Sequence, residues 1–341
     1  MKKRYFLVLS FSLIFSFNYC FAQFSKTGTA AAQFLKIGVG ARAMGLGGAF
    51  GSLANDVSAL YWNPAGLVMV DNLTMMGSYS PWIADIAHHF AGVAVPLSQN
   101  DFIGLSAIFL TMDDMEITTI DRPHGTGEFF GASDFAIGLS YARRLTDRFS
   151  VGFTGKYIGQ KIYNEEATGL AFDIGTRLRT GFHGLIISMN FSNIGNRMQL
   201  KGIDLLRPYD PNPGSSNNPF IDATLNTELW ALPTNFRISV CMNIVGEGPS
   251  VFSSDDNLLT LIVDGNHPTD GEEKASLGIE YQWQELFALR FGYMLNYDDE
   301  SLAFGVGFKP SWGGKILAVD FAYIPSDLLN DIQIFSLSLQ L

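Results

Sequence analysis

The sequence predicts an all-β protein: a transmembrane antiparallel β-barrel of about 14 strands with an N-terminal hatch, or plug, in its lumen. Three observations carry that expectation. The chain opens with an export signal. It is 47% hydrophobic with 28 Phe and 35 Gly, yet past residue 22 no stretch approaches 18 uninterrupted apolar residues, so no further spanning helix is expected. Finally, apolar side chains alternate at every second position through the C-terminal four-fifths. In a bilayer, only helices and closed barrels satisfy every backbone polar group, and the helices are absent here.

The signal comes first. Lys2-Lys3-Arg4 precedes an apolar run from Tyr5 to Phe21, and Ala22 supplies a small residue at the cleavage position. Residues 1–22 therefore read as a secretory signal peptide cleaved after Ala22, and Ser10, Ser12, Ser16 and Asn18 argue against a retained anchor. Lipoprotein acylation at Cys20 is disfavoured by the bulky Phe17, Asn18 and Tyr19 before it. The mature chain carries 19 Lys+Arg against 33 Asp+Glu, a net charge of −14, with no electrostatic footprint for nucleic acid. Cys241 is its one cysteine, so neither an internal disulfide nor a cysteine metal site is expected.

From residue 72 to 341 the period is two. Phe287, Leu289, Phe291, Tyr293 and Leu295 alternate with Ala288, Arg290, Gly292, Met294 and Asn296. Phe135, Ile137, Leu139 and Tyr141 alternate with Ala136, Gly138, Ser140 and Ala142. A soluble sandwich would put charge on its outer face; here the large face is aromatic and aliphatic, as hydrocarbon requires. Strands are expected near 72–80, 88–96, 101–118, 134–143, 148–161, 169–179, 184–192, 233–243, 257–265, 274–283, 286–296, 301–309, 315–324 and 332–341. The third is taken as one long strand with an irregularity at Asp113-Asp114. Long loops alternate with tight turns, the barrel habit of long outer loops and short periplasmic ones, with 244–256 as the exception. The chain ends as a strand with an apolar last residue, Phe335-Ser-Leu337-Ser-Leu339-Gln-Leu341, like the C-terminal insertion signal of outer-membrane barrels.

Residues 23–71 do not alternate. Within them Gly38-Val-Gly40-Ala-Arg-Ala43, with Asp56 further on, matches a dinucleotide fingerprint. That motif needs a buried strand before it, a helix after it and a parallel unit around it, none of which this chain provides, so no cofactor is expected. The small residues suit a compact hatch packed against the inner wall, where glycine permits tight turns and close backbone approach.

The stretch "GVGARAMGLGGAFGSLANDVSALYWNPAGL", with Gly40-Ala41-Arg42-Ala43, Gly45-Leu46-Gly47-Gly48-Ala49 and Asn63-Pro64-Ala65-Gly66, resembles the hatch of FadL-type long-chain fatty-acid transporters. It is more similar still to the PorV/PorQ family of outer-membrane proteins associated with type IX secretion. The resemblance implies a FadL-like 14-stranded fold in the outer membrane of a Gram-negative cell. It also implies that Asn63-Pro64-Ala65 lies near a ligand channel; the residues themselves read more simply as a turn into the first strand. Met44, Phe50, Leu60 and Trp62 either line an apolar pocket there or anchor the hatch.

Lys156, Asp173, Arg177, Arg179, Arg237, Glu280, Arg290 and Asp320 fall on inward positions. Unpaired charge in a confined lumen is costly, which favours ion pairing over a lining for permeation or for an anionic head group. The histidines at 88, 89, 124, 183 and 267 lack metal-ligand spacing, and no nucleophile elbow is present, so no metal, catalytic residue or enzyme activity is expected. Acid clusters at Glu165-Glu166, Asp270–Glu273 and Asp298–Glu300 read as solvated outer loops. Two functions remain open: an accessory of type IX secretion that binds cargo or translocon proteins through its outer loops, 193–232 above all, or a FadL-like passive transporter of hydrophobic molecules. The irregularity at Thr111–Met115 is the sequence hint of a lateral break in the wall for the second.

Overall fold

A computed structural model describes residues 28–82, 86–212, 214, 221–297, 301–326 and 330–341; the signal peptide and the Asp298–Glu300 cluster lie outside these. Fourteen strands form the wall: β1 Thr74–Pro81, β2 Ala87–Pro96, β3 Asp101–Thr111, β4 Ala132–Thr146, β5 Phe149–Ile162, β6 Glu165–Arg179, β7 Ile186–Gly195, β8 Asn235–Gly246, β9 Asn257–Pro268, β10 Lys274–Trp283, β11 Phe287–Leu295, β12 Leu302–Phe308, β13 Lys315–Ile324 and β14 Ile332–Gln340. Each pairs antiparallel with its chain neighbours, and β1 pairs with β14 from Thr74–Gln340 to Tyr79–Phe335, closing the ring. Closure leaves no sheet edge, which is what a bilayer demands.

Alternation sets which side chain faces where. Along β11, Phe287, Leu289, Phe291, Tyr293 and Leu295 are exposed while Ala288, Arg290, Gly292 and Met294 are covered, and β6 shows the same rhythm over 11 residues. Aromatic pairs on the outer face, Trp283 with Phe287 and Phe287 with Phe308, have centroids 6.1 and 5.0 Å apart near the short-turn end. Aromatic rings at that height suit the girdle at a bilayer interface.

Several segments differ from the sequence expectation; Glu165 and Asp270, expected in solvated outer loops, are buried, Glu165 at the start of β6 and Asp270 paired with Lys36 at 3.1 Å. β3 ends at Thr111, and Met115–Glu116 instead pairs with Phe129–Phe130 in a separate two-stranded ribbon. The irregularity at Thr111–Met115 therefore lies beyond the wall strand rather than within it. Its alternating residues continue a strand-like pattern, but the pairing partner changes from β4 to the loop itself. In the longest loop, Leu206–Tyr209 pairs with Ile221–Thr224 as a hairpin. The 244–256 exception resolves into a longer β8, against whose end Phe252–Ser253 folds back in parallel.

The described residues before β1 form four short turns of helix: Gln33–Lys36, α1 Ala41–Met44, α2 Ala59–Trp62 and Pro64–Met69. They contact strands on opposite sides of the ring, through Ser336 of β14, Asp264 of β9, Thr176 of β6 and Ser150 of β5. A chain that touches all sides of a closed cylinder occupies its interior. It enters at the long-loop end, where the Ala31 amide donates to Ala231 (2.8 Å), and leaves at the short-turn end, where Arg144 Nη2 donates to the Val68 carbonyl (2.6 Å). Its residues, including Leu46, Phe50, Leu60 and Leu67, make up much of the buried core.

Candidate functional site

The glycine-rich stretch serves contact with the wall. Gly47 turns at φ +65° just past α1, and its backbone lies so close to Gly292 of β11 that a Cβ there would overlap Leu46 and Gly47. A larger residue on either side would force the segment off the wall. The same device recurs at Asn63-Pro64-Ala65, where the Pro64–Ala65 backbone rests on Gly152 of β5 and the Asn63 and Pro64 side chains rest on Gly175 of β6.

Hydrogen bonds then fix the position. The Phe50 and Gly51 amides both donate to Asp264 Oδ2 at 3.0 Å, and the Ser52 amide donates to Ser239 Oγ at 2.8 Å. Ser239 in turn bonds Asp264 Oδ1. Asn63 caps the Pro64–Met69 turn by accepting from the Ala65 amide (3.1 Å) and donates to the Thr176 carbonyl of β6 (3.1 Å). Proline at the first position loses nothing there, because its missing N–H would have had no partner within the turn. Trp62 donates Nε1 to the Val39 carbonyl (2.9 Å), meets Phe50 edge-on, and carries the Arg237 guanidinium 4.4 Å above its ring. Met44, Phe50, Leu60, Trp62, Asn63, Pro64 and Ala65 are all buried. They lie together inside the lumen as packing and anchoring groups.

The inward charges form three separate groups. Lys156 Nζ bonds Asp173 at 2.6 Å beside Asn193, where the β6–β7 ladder shifts register. Arg237 faces Asp264 at 3.9 Å. The third group joins segment and wall: Arg42 donates to Glu280 through Nε (2.9 Å) and Nη2 (2.8 Å), and through Nη1 to Asn55 and Asp56. Glu280 also accepts from Arg290 Nε at 2.7 Å, and Arg290 Nη1 reaches Asp320 at 2.7 Å. Burial works against the Arg42 charge, yet the carboxylates of Glu280 and Asp56 hold its pKa above the ordinary arginine value. Arg42 is the residue that sequence reasoning left among the motif glycines. Its signal was present: a lone cation in a run of small apolar residues demands a buried acid.

Arg177 and Arg179 differ from the others, since neither has a carboxylate within 4 Å among the described residues. Both line a cavity of about 920 Å³ below the segment, walled by the turns of the short-turn end.

Fold and lumen define the class: a closed outer-membrane β-barrel that holds its own N-terminal chain in its lumen, above an open cavity at the short-turn end. Residues 21–177, the N-terminal segment and the first strands, match the family model for Type IX secretion system protein PorV. The barrel is similar to the CymD monoaromatic hydrocarbon channel (TM-score 0.55, 11% identity, 89% of this chain and 96% of that one). It is also similar to the Pseudomonas putida toluene transporter TodX (TM-score 0.52, 8% identity, 85% and 96%) and to a Pseudomonas aeruginosa FadL homologue (TM-score 0.50, 12% identity, 88% and 97%). The family-model match bears out the resemblance carried by the hatch motif over residues 21–177, and the solved structures show a FadL-like fold. No curated protein sequence matches at a significant level.

Proposed function

We propose that this barrel serves type IX protein secretion as an accessory that binds secreted cargo or translocon proteins through its long-loop end, without covalent chemistry. The match of residues 21–177 to the PorV model carries the reading. The shape of the loops supports it. The segment after β7 carries a hairpin with exposed Leu206, Tyr209 and Ile221, too long and too apolar to be a plain connector. The interior segment acts as a plug that keeps the wall sealed while the loops work.

Passive transport of a hydrophobic molecule is the second reading, favoured by the FadL-like fold. It requires passage past Trp62 and Pro64, both buried against the wall, so the segment would have to move during each passage. Pull-down from solubilised outer membrane separates the two. Co-purified secreted proteins that disappear when residues 205–225 are deleted are the expected result. Recovery of no protein partner, together with bound lipid or aromatic solute along the lumen, would replace secretion with transport.

A further inference from the structure

We infer that the arginine-lined wall of the cavity at the short-turn end is a binding site for a small organic anion, a molecule presenting a carboxylate or phosphate group. Arg144 of β4, Ser150 of β5, Arg177 of β6 and Ser188 of β7 are successive cross-strand partners, forming one inward row. Arg179 lies two residues further toward the same end, and Arg148 sits in the β4–β5 turn. None of these four arginines has a carboxylate within 4 Å among the described residues, whereas Arg42, Lys156, Arg237 and Arg290 inside the same lumen each face one.

A shortage of acids does not explain this, because the chain has 33 Asp+Glu against 22 Lys+Arg. Arg144 donates to the carbonyls of Val68 and Gln99, and Arg179 to that of Asp147; carbonyls satisfy hydrogen bonds but neutralise no charge. Arg177 Nε is buried and has no hydrogen-bond partner among the described residues. Neighbouring like charges on one wall, one with an orphan N–H, are costly until an anion arrives. The guanidinium fork matches both oxygens of a carboxylate or phosphate. A cavity of about 920 Å³ has room for a metabolite-sized molecule, and apolar Val68 and Ile186 flank the row to receive its carbon skeleton. This site does not depend on what the loops bind.

The test is calorimetric titration of the full-length protein, delipidated in a nonionic detergent at low salt. The probes are inorganic phosphate, octanoate and dihexanoyl phosphatidic acid in mixed micelles. Binding of phosphate or octanoate points to a soluble anion, and binding of the phosphatidic acid alone points to a lipid head group; either supports the site. Losing a bidentate contact should weaken binding at least about tenfold in Arg177→Gln and in Arg179→Gln. Arg177→Lys, which keeps the charge and checks for folding defects, should bind more tightly than Arg177→Gln. Lys201→Gln at the opposite end should change nothing. No saturation by any probe below about 10 mM, or saturation that both glutamine variants leave intact, overturns the assignment.

Discussion

Replacing Glu280 by Gln should loosen the N-terminal segment while leaving the barrel wall in place. The Glu280 side chain is about 1% exposed and accepts from Arg42 at 2.8 and 2.9 Å and from Arg290 at 2.7 Å. Removing one partner of a buried ion pair costs about 3–5 kcal/mol. Both arginines keep a second carboxylate, Asp56 at 3.1 Å and Asp320 at 2.7 Å, which places this case at the low end. At about 1.4 kcal/mol per factor of ten, a loss of about 3 kcal/mol is roughly a hundredfold in an opening equilibrium. The backbone ladder of β10 is untouched, so the change should appear as local opening of the segment rather than global unfolding. Hydrogen exchange in detergent micelles reads this directly: amides of residues 41–56 should exchange roughly a hundredfold faster, and those of β10 and β11 at their original rate. An acceleration below about fivefold, or one shared equally by β10 and β11, would refute the idea that this carboxylate latches segment to wall.

Other perturbations probe other contacts. Gly152→Ala places a methyl against the Pro64–Ala65 backbone, which has no flexible end to yield, whereas a Cβ at lipid-facing Gly77 meets nothing within 4 Å. The first should lower stability by about 1–3 kcal/mol and the second by much less, read as the midpoint of heat-modifiable gel migration. Trp62→Ala removes the hydrogen bond to Val39 and the ring beneath Arg237, at a cost of about 3–5 kcal/mol, so trypsin should cleave after Arg42 at least tenfold faster. Cys241 is 2% exposed, so maleimide should label the folded protein far more slowly than the unfolded chain, and the Glu280→Gln variant should label faster than the parent. Rapid labelling of the parent would contradict the packing of the segment.

The wall was legible because its signal is local. A residue and its second neighbour share a face whatever the rest of the chain does, and large apolar groups outside small ones distinguish a bilayer from water. The pattern failed at Met115–Glu116, where alternation continued but the pairing partner changed; periodicity reports a strand, not its neighbour. Docking of the N-terminal segment was hidden for the opposite reason. Arg42 and Glu280 lie 238 positions apart, and Phe50 and Asp264 lie 214 apart, so only the folded ring brings them together. Inward charges could be placed on a face from sequence alone. That Arg237 would meet Asp264 while Arg177 would meet no acid among the described residues depends on register and strand order across the whole sheet.

The seam between β1 and β14 has a consequence for how the molecule comes into being. β1 begins four residues after Val70, and the Leu341 amide donates to the Leu73 carbonyl at 3.0 Å, so first and last strands meet where the inner segment exits. That segment traverses the cylinder from one mouth to the other before the first strand starts. Were the two chain ends to zip around a segment already in residence, its contacts with β5, β6, β9 and β14 would act as a mandrel on which the sheet is rolled.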